Sequence, residues 1–407
     1  VSTNLPVVVC GAGAAGLVAA IFAARAGRRV VLVERTSDGG RKILISGGGR
    51  CNVLPAVLDE SRFVTDSSPN SLRKILRSWP LAEQRAFFEK DLRIPLKLED
   101  DSGKLFPVSD RARDVRDALV AAARVAGVEM RFATAIVDLT PQGDAGWRLR
   151  GEHGGEFDAA AVVLATGGLS VPNTGSDGTG LRLVERLGHT LHPPYPALTP
   201  LTQDPARFAG LAGISRTVTL TANTPAGKVV ARGGFLFTHR GFSGPAVLDI
   251  SHVAVRARLA GRAQEIRVCW TDLDEGAWDI ALRESRGTVG TAVRRHLEGR
   301  LVDMLLAEAG LASEQRLAEL AKPQRRALVD VLTQWPLPWT GDEGYKKAEV
   351  TGGGVALSDV DPRTLESRRA PGLFLCGEIL DAFGPIGGYN FAWAWATGRA
   401  AGLGAAG

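Results

Sequence analysis

At 407 residues, with 45% hydrophobic and 23% charged positions, the chain has room for two or three domains, and its mixed composition excludes disordered and fibrous classes. The 49 Lys and Arg outnumber the 44 Asp and Glu by a net +5, but they are spread through Ala-rich segments with no basic run or aromatic stripe, so the charge pattern predicts no nucleic-acid partner. Cys10, Cys51, Cys269 and Cys376 are far apart, with no CxxC pair and no His at ligand spacing, which argues against a disulfide framework, a metal site or a dithiol centre and favours a reducing cytoplasm.

The N-terminal residues lead directly into an apolar strand without a charged leader region. No run of about 18 apolar residues follows, so neither export nor a membrane span is expected. Nothing in the pattern indicates an oligomeric state.

Taken in chain order, Val7 to Cys10 is a short apolar strand. A glycine turn, an Ala-rich helix through about Ala26 and a second apolar run from Arg29 to Val33 complete a β-α-β unit that opens a parallel sheet. A polar, helix-rich stretch is expected from Ser71 to Ala126, followed by the strand-like segments "VEMRFATAIVDL", "GWRLRG" and "AAVVLATGG". From His192 the texture becomes proline-rich and then β-rich. Helical periodicity takes over from about Glu275 to Gln334, and the apolar strand "GLFLCGE" precedes a terminal helix. The expected domains are therefore 1–191 with 350–407 as one discontinuous nucleotide-binding domain, 192–274 as an inserted β-rich domain, and 275–349 as the helical part of the insertion. The fold class is α/β and Rossmann-like.

In "VVVCGAGAAGLVAA", Gly11, Gly13 and Gly16 form GxGxxG between a strand and a helix. The first glycine permits the tight turn, the second lets a pyrophosphate reach the backbone, and the third lets helix and strand pack closely. Glu34 ends the second strand, where a carboxylate accepts ribose hydroxyls and repels a 2′-phosphate. NAD and FAD share this fingerprint. Two further strand ends, Ala165-Thr166-Gly167 and Gly377-Glu378, favour the longer, extended FAD, whose length brings several strand ends into contact with it.

The segments "GAGAAG", "RKILISGGGRCN", "LFPVSDRA", "LATGGLSVPNTGSDG", "FTHRGFSGP", "VTGGGV" and "GLFLCGEILDAFGPIGGYNFAWAWATG" run through nearly the whole chain. On these residues it resembles the HI0933-like or BaiN-like family of bacterial NAD(P)/FAD-dependent oxidoreductases. The resemblance implies a two-dinucleotide-binding-domain flavoprotein, with the FAD domain made from the two chain ends and the insertion covering the flavin. It places the pyrophosphate over Gly11, Ala12, Gly13, Ala14 and Ala15, and the adenosine end against Glu34, Arg35 and the backbone of Ile136. Glu378 meets the ribityl chain, and the Gly387-Gly388-Tyr389-Asn390 turn aims a helix N-terminus at the flavin.

In "RKILISGGGRCN", Gly47, Gly48 and Gly49 let backbone amides approach the cofactor, flanked by Ser46, Asn52 and the cationic Lys42 and Arg50. Cys51 is read as a small buried residue beside the cofactor, without a partner for dithiol chemistry. Trp393, Trp395, Trp335 and Trp339 are read as core.

Because a flavin supplies the hydride chemistry, few protein catalysts are required. His239 and Arg240, between a strand and a glycine turn of the insertion, are the candidates for proton transfer or substrate contact. The expected activity is hydride exchange between a small organic substrate and FAD, with NAD(P)H or dioxygen as the second partner. No second GxGxxG is present, so NAD(P)H would bind only transiently. The alternatives are a flavin-binding tRNA-modification or RNA-associated protein, motivated by a pI near 9.2, and a non-catalytic flavin redox sensor.

Overall fold

The computed structural model describes residues 5–407, so the first four positions of the expected 1–191 segment lie outside it. The chain divides into two compact units, Val1–Pro196 with Glu349–Gly407, and Ala197–Ala348.

The first unit is organised by a five-stranded parallel sheet. Its strands are β1 (Val7–Cys10), β2 (Val30–Val33), β3 (Glu129–Arg131), β4 (Ala161–Leu164) and β5 (Leu373–Leu375), in the spatial order β5, β4, β1, β2, β3. The register pairs Val7 with Ala161 on one side and with Val30 on the other, and Val162 with Leu373. The central strands are continuous apolar runs buried on both faces, as a sheet covered on both sides requires.

Three helices matter for the site: α1 (Ala14–Arg25), α2 (Pro69–Arg77) and α3 (Tyr389–Ala406). A Cβ added to Gly398 would lie 2.4 Å from the carbonyl oxygen of Ala15, and one added to Gly402 would lie 2.3 Å from that of Ala19. Glycine one turn apart on α3 is therefore what lets the C-terminal helix lie directly on the backbone of α1. This contact joins the two ends of the chain into one core.

The stretch expected to be helix-rich contains an antiparallel hairpin, Leu96–Glu99 paired with Lys104–Pro107. Alternation along Leu96–Glu99 followed by the polar turn Asp100-Asp101-Ser102-Gly103 is a hairpin pattern that the surrounding helical periodicity outweighed in the sequence. The proline-rich start of the expected insertion is a strand, Leu191–Ala197, paired with Val350–Val355 in a two-stranded sheet.

The second unit has a seven-stranded sheet built around the long hairpin Ser215–Thr224 and Gly227–Thr238. Helix Pro245–Leu259 packs on it, where Gly233 and Gly234 leave room for Pro245. Helices Glu275–Glu284, Val289–Arg294, Gly299–Glu308 and Lys322–Gln334 share one apolar core with this sheet, centred on Phe235, Phe237, Phe242, Trp270, Trp278 and Trp335. The β-rich and helical stretches are thus one folding body.

Candidate cofactor and active site

The turn after β1 is shaped by backbone crowding. Gly11 has φ +106° and a Cβ there would fall 2.5 Å from the Ala165 carbonyl oxygen, while a Cβ on Gly16 would fall 1.8 Å from the carbonyl oxygen of Gly11. Gly13, the residue before α1, faces open space, with nothing within 4 Å of its Cβ position. Two of the glycines thus let the strand, turn and helix close on each other, and the middle one keeps the turn's outer side clear for a bulky anion, with the first-turn amides of α1 beside it.

Glu34 is buried, and its carboxylate is bolted to that turn. It accepts from the Ala12 amide at 2.7 Å and from the amide and hydroxyl of Thr36, both at 2.8 Å. An ionised carboxylate has about four acceptor sites, so it retains capacity for a ribose hydroxyl. The segment before Ile136 is tied to the same place, because the Thr134 amide donates to Glu34 O at 2.8 Å and the Ala133 amide to Thr36 O at 2.9 Å. Arg35 turns to Asp177 in an ion pair. Burial works against the Asp177 carboxylate, but Arg35 and the Thr179 amide hold its pKa below the usual range. Asp177, at the end of the motif "LATGGLSVPNTGSDG", thereby clamps Arg35.

The three glycines of "SGGGRCN" are consecutive left-handed residues, with φ of 55°, 67° and 86° at Gly47, Gly48 and Gly49. All three are exposed, and Gly48 has nothing within 4 Å of its Cβ position. Ser46 donates its hydroxyl to Ile43 O at 2.7 Å, which closes the preceding helical turn. Arg50 lies 4.0 Å over the Phe106 ring and donates to Glu99 at 3.0 Å, so its charge is partnered by the hairpin. Asn52 is half-buried. Cys51 is fully buried, and burial pushes its thiol up to about 12, so it is a neutral, inert thiol at physiological pH.

Three distant segments converge on Glu378. Its carboxylate accepts from Lys42 Nζ at 2.5 Å, Ser170 Oγ at 2.6 Å, Thr351 Oγ1 at 2.8 Å and the Thr351 amide at 3.0 Å; Lys42 also donates to Ser170 Oγ at 2.6 Å. The cluster requires Gly168, whose Cβ would lie 2.4 Å from Thr351 Oγ1. Helix α3 fixes the turn that carries Glu378: Trp393 donates to the Gly377 carbonyl at 3.1 Å and Thr397 accepts from the Gly377 amide at 3.0 Å. Trp395, also fully buried, donates to Val53 O at 3.0 Å. The Ala165-Thr166-Gly167 strand end lies beside the first turn, with the Ala165 amide donating to Cys10 O at 2.9 Å and the buried Thr166 hydroxyl left without a protein partner.

Ser170 and Thr351 were not singled out from sequence, although both lie within the quoted motifs "LATGGLSVPNTG" and "VTGGGV". Neither has a motif of its own; their roles come from meeting Glu378. Asp381 was also missed. It is buried and one carboxylate oxygen accepts from the amides of Asp66 and Ser67 and the hydroxyls of Thr65 and Ser67, all within 2.9 Å. It anchors the loop that leads from Glu378 to α3.

In the Gly387-Gly388-Tyr389-Asn390 turn the side chains serve the loop. Asn390 makes a reciprocal pair with the amide and carbonyl of Gly384, both at 2.9 Å, and the Tyr389 hydroxyl donates to Val57 O at 3.3 Å. Gly388, at φ +94°, admits no side chain because Leu54 would be 2.5 Å from its Cβ. What this turn offers a ligand is therefore backbone, at the start of an 18-residue helix.

His239 and Arg240 occupy an exposed turn of the second unit, between Gly227–Thr238 and Gly241–Ser243, and neither side chain has a polar partner among the described residues. Among the described residues no group of three or more His, Cys, Asp or Glu could hold a metal ion, and no helix is long and apolar enough to cross a membrane.

These cradles fit FAD: an open turn at a helix N-terminus for the pyrophosphate, an anchored carboxylate for ribose, exposed left-handed glycines for close backbone approach, and a polar cluster at the next strand end. When bound there, FAD supplies two-electron hydride transfer.

Residues 5–404 match the family model described as HI0933-like protein Rossmann domain. The chain is 32% identical over 403 residues to the ribosomal RNA dihydrouridine synthase of Escherichia coli K12, covering 96% of this chain and 95% of that protein. It is also 32% identical over 418 residues to the 3-dehydro-bile acid delta(4,6)-reductase of Clostridium scindens, covering 98% of each. Among solved structures, the 3-ketosteroid delta1-dehydrogenase of Sterolibacterium denitrificans shares the fold over the full length of both chains, with a TM-score of 0.53 at 13% identity.

Proposed function

The chain belongs to the HI0933-like family and is a FAD-dependent oxidoreductase, and from that premise we propose that it reduces a carbon–carbon double bond conjugated to a carbonyl, with uracil in ribosomal RNA as the substrate. The observation that carries this reading is the equal similarity, over nearly the whole chain, to one protein named for making dihydrouridine and another named for a delta(4,6)-reduction. Both names describe adding two hydrogens across a ring double bond. A carbonyl in conjugation makes the far carbon electrophilic toward hydride and the near carbon the one that is protonated. One protein architecture therefore serves both substrates.

In this reading NAD(P)H is the reductant and is oxidised to NAD(P)+, and the substrate gains one hydride and one proton. The turn at Gly13, the carboxylate of Glu34 and the amides of Gly47 to Gly49 hold the cofactor, with Arg35 and Ile136 at its adenosine end. The Lys42 and Glu378 pair, braced by Ser170 and Thr351, keeps a fixed and nearly neutral polar wall at the strand end. His239 is the group proposed to deliver the proton and Arg240 to contact substrate. Expectation from charge alone ran against a nucleic acid; the relatives reopen the question, and most of the net positive charge lies in the second unit.

The test is direct. Holoenzyme with NADH or NADPH is incubated with ribosomal RNA lacking dihydrouridine, and the nucleosides are quantified by mass spectrometry. Appearance of dihydrouridine supports the reading, and RNA left unmodified by an enzyme whose flavin is reduced overturns it. A parallel reaction with a steroid 3-keto-4,6-diene tests the second reading, a small-molecule enone reductase, which the Clostridium relative favours.

A further inference from the structure

The first unit carries a second concavity, lined by none of the residues of the cofactor cradle. It is an open groove of about 710 Å³ between α2, the Pro362-Arg363 loop and the middle of α3, and its lining includes Arg73, Lys74, Arg77, Arg363 and Arg399 but no acidic side chain. On α2 the buried residues Leu72, Ile75 and Leu76 face the core, which leaves Arg73, Lys74 and Arg77 together on the outer side.

Several arginines elsewhere on this unit are met by acids, among them Arg25 by Asp91, Arg148 by Asp158 and Arg186 by Asp138. In the cleft only Arg77 is, through a two-point pair with Glu60 at 2.8 and 2.9 Å. Arg73 reaches only the neutral Asn70 amide at 3.3 Å, and Arg399 donates to Ser78 O at 3.2 Å while lying 5.5 Å from the ring centres of Phe22 and Trp79. The Lys74 and Arg363 side chains have no acidic partner among the described residues. Like charges one helical turn apart repel, and a concave wall concentrates their field. Such an arrangement is complementary to a polyanion with repeated phosphates.

We propose that this cleft holds the sugar–phosphate backbone of the RNA substrate. The inference rests on the RNA reading above and adds where the RNA is gripped. Arg399 stands ten residues beyond Tyr389 on α3, about 15 Å along the helix at 1.5 Å per residue. RNA seated in the cleft therefore runs within a few nucleotides of the turn assigned to the flavin. The contacts are to phosphates and carry no base selectivity.

The experiment compares holoenzyme with the variant Arg73→Gln, Lys74→Gln, Arg363→Gln, using fluorescence anisotropy of a labelled ribosomal RNA fragment across a salt series. Removing three phosphate contacts lowers affinity about 10-fold or more and makes the salt dependence shallower by about two units of log K per log salt, at ~0.7 per contact for single-stranded RNA. Flavin content and the rate of flavin reduction by NAD(P)H stay at the wild-type level, which establishes that the variant is folded. The companion Arg73→Lys, Arg363→Lys variant keeps the charge and retains binding. Unchanged affinity and salt slope in the triple variant overturn the proposal, as does wild-type protein that binds no RNA, or full displacement of RNA by inorganic phosphate at equal phosphate concentration, which would mark a small-anion site. The two readings separate cleanly: dihydrouridine formed with an unaffected triple variant sinks the cleft alone, whereas the expected loss of RNA binding with no dihydrouridine sinks the reaction and leaves the cleft.

Discussion

The Lys42 ammonium lies 2.5 Å from the Glu378 carboxylate, although 336 residues separate them in the chain. The pair is mostly shielded from solvent, with the two side chains 25% and 18% exposed, and Ser170 bridges it. A shielded pair is costly to break on one side, because the remaining charge stays desolvated without its partner. Lys42→Met and Glu378→Gln should each lower thermal stability, whereas the double variant should recover part of the loss. A coupling of about 1 to 3 kcal/mol in a double-mutant cycle is expected for groups in direct contact. Additive losses would show that the pair is incidental.

Gly48 and Cys51 are three residues apart and should respond in opposite ways. Gly48 has φ +67° and open space at its Cβ position. A β-branched side chain is strained there and stands where a cofactor would approach the backbone. Gly48→Val should therefore reduce the ratio of flavin to protein absorbance several-fold. Gly48→Asn, which tolerates the left-handed region, separates the backbone strain from the obstruction. Cys51→Ser should keep its flavin and lose on the order of 1 to 2 kcal/mol of stability, the cost of a buried hydroxyl. A Cys51→Ser protein that retains flavin but loses turnover would restore a chemical role to the thiol.

The contact of α3 with α1 has no slack at Gly398, where an added methyl would lie 2.4 Å from the Ala15 carbonyl oxygen. Gly398→Ala must push the helices apart, in spite of alanine's better helix propensity. A loss of about 2 kcal/mol or more is expected from overpacking of this kind, and flavin affinity should fall with it, because Trp393 and Thr397 of α3 hold Gly377. Chemical denaturation and flavin titration read the two effects. A stabilised Gly398→Ala protein would mean that the helices do not meet as described.

Two histidines, His189 buried and His252 half-buried, weaken the fold in acid. Burial lowers the pKa of His252 from 6.5 to about 4, opposed by its hydrogen bond to Asp249 O, and burial likewise lowers that of His189. The unfolded chain takes up a proton at each site near pH 6.5 while the folded protein does not, so stability is complete above that pH and falls as pH drops toward the folded value. For His252 the loss is about 2 kcal/mol at pH 5. His252→Gln should flatten this part of the stability profile measured by thermal melts between pH 7 and pH 5. An unaltered slope would assign the acid loss to other groups.

Much of the candidate cofactor site was legible because its signals are local. A left-handed turn calls for glycine, and a strand, a glycine turn and a helix fall in a fixed order. Gly11, Gly13, Gly16 and Glu34 could therefore be named from spacing, and Trp393 and Trp395 recognised as core from the apolar helix that carries them. Ser170, Thr351 and Asp381 could not be named in this way. Each is an ordinary polar residue whose role depends on which loop lies opposite it. The Leu96–Glu99 hairpin was hidden for a related reason, since short alternating strands between helices are settled by the surface that packs on them.

The sequence by itself determined the backbone conformations at the turns, the apolar strands of the parallel sheet and the carboxylate at the end of β2, because steric limits on φ and ψ and the burial of apolar runs act within a few residues. The tertiary structure alone decided how the charges are partnered. It joined Lys42 to Glu378, turned Arg35 to Asp177 and Arg50 to Glu99, and left Arg73, Lys74 and Arg363 facing a cleft without acids. Ion pairing acts over a few ångströms in space and is blind to separation along the chain.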